Sequence, residues 1–178
     1  MEKTANWFVL YVRSGSEQGV LKSLNKILDS KVYESFAPTK EMPYREKGVS
    51  KKKEAVCFPG YVFIKTNENV DMFLRNAKRS AETVSGAYYF LCYGNDKADI
   101  SMRTDERWRI ERLLNAEFRM EASKYEKGDK IRIVEGPLFG LESMIKRVDR
   151  HKRTAVIELP MMGSVREFTL MIEVIEKV

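Results

Sequence analysis

Six apolar residues in unbroken succession, Trp7-Phe8-Val9-Leu10-Tyr11-Val12, stand near the start of the chain. A run of strand length, rich in aromatic and β-branched side chains, predicts the central strand of a sheet. Such a strand needs a cover, and one follows directly. After Ser14-Gly15-Ser16-Glu17, apolar residues fall at Val20, Leu21, Leu24, Ile27 and Leu28, with Lys22, Ser23, Asn25 and Lys26 between them. This is the spacing of an amphipathic helix lying on one sheet face.

Further strands are predicted at Val32 to Ala37, stopped by Pro38, and at Tyr61 to Lys65 after a Pro59-Gly60 turn. Between Pro38 and Val56 the chain is too charged to pack inside, which predicts an exposed basic hairpin or loop. Asn67 or Asn69 can cap a helix through Val70, Phe73, Leu74 and Ala77. Gly86 precedes a strand from Ala87 to Cys92, and Ser101 or Thr104 opens a helix carrying Trp108, Ile110, Leu113 and Leu114. The order predicts an antiparallel sheet with helices on one face, over residues 1–116.

Residues 117–125 are polar without a period, as in a linker. Beyond them come short apolar runs at Lys130 to Ile133, Ser143 to Val148, Thr154 to Leu159, Val165 to Phe168 and Met171 to Val174, separated by turn residues. Five short strands over 126–178 predict a small closed β-barrel, so the fold class is α+β with two domains.

The chemistry available is limited. One histidine, His151, and two distant cysteines, Cys57 and Cys92, cannot form a closed zinc set. No Ser, Cys or Glu lies in a recognisable nucleophile or acid–base motif, so the expectation is a non-enzymatic protein without metal or cofactor. The cysteines are expected as reduced core thiols. With 33% charged residues and no long apolar run, the chain is expected to be soluble and cytoplasmic, without export signal or membrane span. A net charge of +6 favours a polyanionic partner.

Three segments carry a resemblance: Trp7 to Glu17, Phe58-Pro59-Gly60-Tyr61-Val62-Phe63, and Lys127-Gly128-Asp129-Lys130-Ile131-Arg132-Ile133-Val134-Glu135-Gly136-Pro137-Leu138. In this order they resemble the NusG family of transcription elongation factors over nearly the whole chain. The resemblance implies an N-terminal NGN domain that docks on the clamp helices of RNA polymerase, and a C-terminal KOW domain of SH3-like fold. By position, Phe58, Pro59, Gly60 and Tyr61 would form the docking surface, with Trp7 nearby in the sheet. Core packing is the competing reading of these aromatics, and the favoured one for Trp7. The KOW domain is implied to contact RNA, a ribosomal protein or a termination factor, with Met161, Met162, Arg150, Lys152 and Arg153 as its partner surface. A monomer is expected.

Departures from the family pattern point to a specialised paralogue. Ser143 stands where the family has glycine, the loop Pro160-Met161-Met162-Gly163 lacks an aromatic, and Tyr88-Tyr89-Phe90-Leu91-Cys92-Tyr93 is unusually aromatic. The closest resemblance is to LoaP-type antiterminators, with RfaH-type ones more distant, which implies recruitment through an RNA hairpin in an operon leader. Candidate RNA-binding residues are Lys40, Arg45, Lys47, Lys51, Lys52 and Lys53 in the basic segment, and Arg75, Lys78 and Arg79 at a helix end; the turn with Arg147, Arg150, Lys152 and Arg153 is the next candidate. A housekeeping factor coupling polymerase to the ribosome or to a termination factor is the alternative. An RNA-binding ribosome-assembly protein that shares only the barrel is a third reading.

Overall fold

The computed structural model describes residues 5–126 and 132–175. They fall into two units, each assembled from separate stretches of chain. The first is built on β1 (Asn6–Val12), α1 (Glu17–Ile27), β2 (Tyr33–Phe36), β5 (Tyr61–Thr66) and β6 (Ala87–Phe90), and it also includes Met161–Ser164. The second holds the hairpin β3 (Thr39–Glu46) and β4 (Val49–Val56), with most of the chain beyond Trp108.

In the first unit the sheet runs β2-β5-β1-β6, all neighbours antiparallel. The apolar run that opens the chain is indeed an interior strand. Its two faces bury different partners because side chains alternate. Phe8, Leu10 and Val12 share a core with Val62 and Ile64 of β5 and with Val20 and Leu24 of α1. Phe8 stacks on Phe73 with ring centroids 3.7 Å apart, and Phe90 meets Phe73 edge-on at 5.2 Å. On the opposite face Trp7 packs edge-on against Phe36 at 5.0 Å and Phe63 at 6.1 Å.

Phe73 belongs to a helical stretch in three parts: α2 (Val70–Phe73), a π-helical turn (Leu74–Lys78) and α3 (Arg79–Glu82). Asn69 caps it, its side-chain oxygen accepting from the Met72 N–H at 2.9 Å. The remaining helix, α4, spans Thr104–Leu113.

In the second unit β3 and β4 pair along their full length, with Glu46 opposite Val49. Lys47 and Gly48 between them have φ of 49° and 82°, the conformation of a two-residue type I′ turn. The expected basic hairpin or loop is therefore a regular hairpin. β7 (Arg119–Met120) adds parallel to β3.

A five-stranded sheet of order β10-β11-β12-β8-β9 completes the unit, from β8 (Ser123–Glu126), β9 (Arg132–Glu135), β10 (Ile145–Asp149), β11 (Thr154–Met161) and β12 (Ser164–Ile175). Two expectations change here. The segment 117–125, read as a linker, carries β7 and most of β8; Ser123 and Tyr125 are buried and alternate with half-exposed Lys124 and Glu126. The two strands expected after Gly163 are one continuous strand, β12. Residues Lys127 to Ile131, which carry part of the family resemblance, lie outside the described residues.

Gly136, after β9, has φ of 97°, and a Cβ there would lie 2.7 Å from the Ser123 Cα and 2.9 Å from the Ala122 carbonyl oxygen. Both obstacles are backbone. Gly136→Ala is expected to cost about 2 kcal/mol or more, from left-handed strain and overpacking together, and to lower the urea midpoint accordingly.

Candidate nucleic-acid interface and docking face

The basic residues of the hairpin divide into two groups. Lys40 is half-buried and its ammonium donates to the Thr169 carbonyl at 2.6 Å; burial pushes its pKa below the ordinary lysine value. Lys51 pairs with Glu46, and Lys52 with Glu173 at 2.6 Å and Glu41 at 3.4 Å. The hydrogen bond to Glu173 raises the Lys52 pKa. Lys78, in the π-helical turn, pairs with Glu82 at 2.8 Å. These four do not stand free, contrary to the expectation from sequence. The reason is register: Lys51 and Lys52 lie opposite Tyr44 and Pro43, which brings each diagonally beside Glu46 and Glu41. Arg45, Lys47, Lys53, Arg75 and Arg79 are exposed and, among the described residues, in no ion pair.

Arg45 opens onto an open cleft of about 1190 Å³ within the second unit. One wall is hairpin residues Met42 to Arg45 with Ser50, and the other is the β10–β11 connection, Arg147 to Thr154. Five cations line it, Arg45, Arg147, Arg150, Lys152 and Arg153, with His151 and a single carboxylate, Asp149. Asp149 is occupied by the turn itself, accepting from the Lys152 N–H at 2.9 Å. The structure thus brings the hairpin candidate Arg45 together with the second candidate, the β10–β11 turn. Sequence alone could not pair segments a hundred residues apart.

Met161 and Met162, expected on a partner surface, are buried. Met162 and Gly163 have φ of 52° and 75°, and their N–H groups donate to the Glu106 carboxylate at 2.9 and 3.2 Å. The same carboxylate accepts from the Tyr93 hydroxyl at 2.6 Å; burial, then this bond, pushes the Tyr93 phenol far above its usual range. Arg150, Lys152 and Arg153 of that expected surface are exposed.

The aromatics around the Pro59-Gly60 turn also separate. Phe58 is 0% exposed, its ring 5.4 Å from Phe63, and Trp7 is 2% exposed. The expectation of a surface Phe58 is corrected, and Trp7 is a core residue. Pro59 is exposed, Gly60 buried and Tyr61 half-exposed. Gly60, with φ of 86°, is fixed from two sides: its N–H donates to buried Glu17 at 2.7 Å, and its carbonyl accepts from the Val12 N–H at 2.8 Å. This lock sets the direction of Tyr61.

Tyr61 lies 5.7 Å from Tyr11, which in turn meets Tyr88 at 5.3 Å and Tyr89 at 5.4 Å. Tyr88 and Tyr89 are 51% and 54% exposed on β6, the edge strand of the sheet. Four tyrosines from three strands therefore form one accessible face. Sequence reasoning noted the aromatic strand but did not join it to Tyr61; the antiparallel pairing of Tyr11 with both Tyr61 and Tyr89 does so.

Cys57 is buried, and burial pushes its thiol up to about 12; Cys92 is half-buried and also free. Among the described residues no group of His, Cys, Asp and Glu could hold a metal ion, and no helix is long and apolar enough to cross a membrane.

A family profile described as "Transcription termination factor nusG" matches residues 5–111, the stretch that contains the whole four-stranded sheet and the tyrosine face. The chain belongs to the NusG family. Proteins named "Transcription termination/antitermination protein NusG" align with this NusG-family chain almost end to end. That of Helicobacter pylori J99 is 24% identical over 97% of this chain and 98% of its own length. That of Pasteurella multocida is 26% identical over 96% and 94%, and that of Bacillus subtilis 24% over 92% of both. A solved structure titled "Domain interaction in Thermotoga maritima NusG" shares the fold, with a TM-score of 0.52 at 20% identity over 94% of this chain and 93% of that one. The NusG-family assignment makes the protein a non-enzymatic transcription termination/antitermination factor with an NGN-type sheet and a β-rich second part.

Proposed function

We propose that this NusG-family protein is a specialised antiterminator of the LoaP kind, which docks on the clamp helices of RNA polymerase and is recruited to selected operons by a leader RNA hairpin. The observation that carries the docking step is the tyrosine face of Tyr11, Tyr61, Tyr88 and Tyr89. Tyrosines supply large contact area with few rotatable bonds, and a cluster of them at the edge of a rigid sheet suits a helical hairpin partner. Exposed Pro59 extends the face beside Tyr61.

Selectivity is the second part of the reading. Its support is the exposed cationic surface, Arg45, Lys47 and Lys53 on the hairpin and Arg75 and Arg79 on the helix. Burial of Met161 and Met162 leaves the 160–163 loop without the apolar knob that ribosome coupling would use, which speaks against the housekeeping alternative.

The test is transcription in vitro on two terminator templates, one with the operon leader and one without. Read-through is expected to rise several-fold on the leader template alone. An equal rise on both would favour the housekeeping reading.

A further inference from the structure

The cleft of the second unit has features that a surface for duplex RNA does not require. Its cations come from two walls, Arg45 on one and Arg147, Lys152 and Arg153 on the other, and so face a common space. Between them the lining is apolar, from Met42, Pro43, Val148 and Val156, with the half-exposed ring of Tyr44 on the hairpin wall. At about 1190 Å³ and open along its length, the space exceeds what small ligands usually occupy.

We propose that this cleft binds an unpaired segment of nucleic acid a few nucleotides long, with phosphates on Arg45, Arg147, Lys152 and Arg153 and a base laid against Tyr44. The proposal deepens the reading above by naming the form in which nucleic acid is held, and it rests on that reading. A duplex keeps its base faces stacked inside and offers only phosphates and groove edges, so an apolar floor with an aromatic ring gains nothing from it. An unpaired strand presents both groups the cleft can use: phosphates for the arginines and π-faces for the tyrosine. Asp149 does not oppose this, since its carboxylate is turned to the Lys152 N–H within its own turn. RNA and single-stranded DNA share this chemistry.

The test uses the full chain and fluorescence anisotropy with three probes: a labelled ten-nucleotide RNA of mixed sequence, the DNA strand of the same sequence, and a blunt RNA duplex without unpaired nucleotides. The strands are expected to bind at least tenfold more tightly than the duplex, and whichever binds better names the natural occupant. Log affinity should fall with log salt by about 0.7 per phosphate contacted, so Arg45→Ala with Arg147→Ala should flatten the slope by about 1.4. Tyr44→Ala should cost about tenfold at unchanged slope, and Tyr44→Phe should restore binding, because stacking needs the ring and not the hydroxyl. All three positions are exposed or half-exposed, and unchanged urea midpoints would show that the variants fold.

Equal binding of duplex and strands, or strand affinity indifferent to Tyr44 and both arginines, would overturn the proposal. So would failure of both strands to bind, which would leave an acidic protein surface as the occupant. Retention of the unsubstituted chain by core polymerase, measured in parallel, separates the two readings. Retention without strand binding refutes the cleft alone, and strand binding without retention refutes the docking function alone.

Discussion

Replacing Tyr61, Tyr88 and Tyr89 together by serine is expected to weaken retention by core RNA polymerase at least thirtyfold, while the fold stays intact. Interface hot spots of this residue type each contribute about 2 kcal/mol or more when they fill a partner's surface, and 2 kcal/mol is about thirtyfold. The fold should tolerate the change because Tyr88 and Tyr89 are half in water already and Tyr61 is only partly covered. The pairing of β1 with β5 and β6 is made by backbone and by the buried rows on either side. The comparison needs a polymerase pull-down with a urea titration of the same variant. Undiminished retention by a folded triple variant would remove the tyrosine face from the docking surface.

Phe58→Ala is expected to do the reverse. Its ring is fully buried, tilted against Phe63, which stacks on Phe36 in the same cluster as Trp7. Truncating such a side chain removes its transfer free energy and leaves a cavity, a loss of about 3–5 kcal/mol. Total stability of an ordinary domain is about 5–15 kcal/mol, so this one substitution takes a large share of it. Weaker polymerase retention by Phe58→Ala would then report on unfolding rather than on a lost contact. Phe58→Leu, which keeps most of the volume, should recover most of the stability in equilibrium urea denaturation. A wild-type midpoint for Phe58→Ala would contradict the burial.

The contrast between Phe58 and Tyr61 marks where sequence reasoning stops. Both flank a Pro-Gly turn, and sequence offers no way to tell which ring turns inward. The decision is made by Gly60, locked between Glu17 and Val12, neither of which is near it in the chain. The strands and helices of the first unit were legible because their patterns are local: the unbroken run at Trp7, the helical spacing from Val20 to Leu28, the Asn69 cap. β8 was not, because its inward residues are Ser123 and Tyr125; a two-residue alternation carried by hydroxyl-bearing side chains between charges looks like a polar linker.

The candidate cleft was half legible. Both of its cationic segments stand out in the sequence as charge runs, but charge runs are most often solvated faces. What distinguishes Arg45 from Lys40 or Lys52 is pairing, and the partners Thr169 and Glu173 lie more than a hundred residues away. Only tertiary structure separates the lysines already neutralised from the arginines that can still meet a phosphate.

The π-helical turn at Leu74–Lys78 bears on how this chain aligns with its relatives. Such a turn is an α-helical turn with one residue added. A relative whose helix is α throughout will align here with a one-residue gap, and that gap is physical rather than an alignment error. The added residue also sets the phase of the helix beyond it. Phe73, Ala77 and Ala81 are all buried at intervals of four, and removing one residue would rotate everything beyond by about 100°, swinging Ala81 and Val84 off the core face. Deletion in this turn is therefore not a loop trimming. It would exchange a buried row for a solvated one, so the insertion and the small residues after it have to be inherited together.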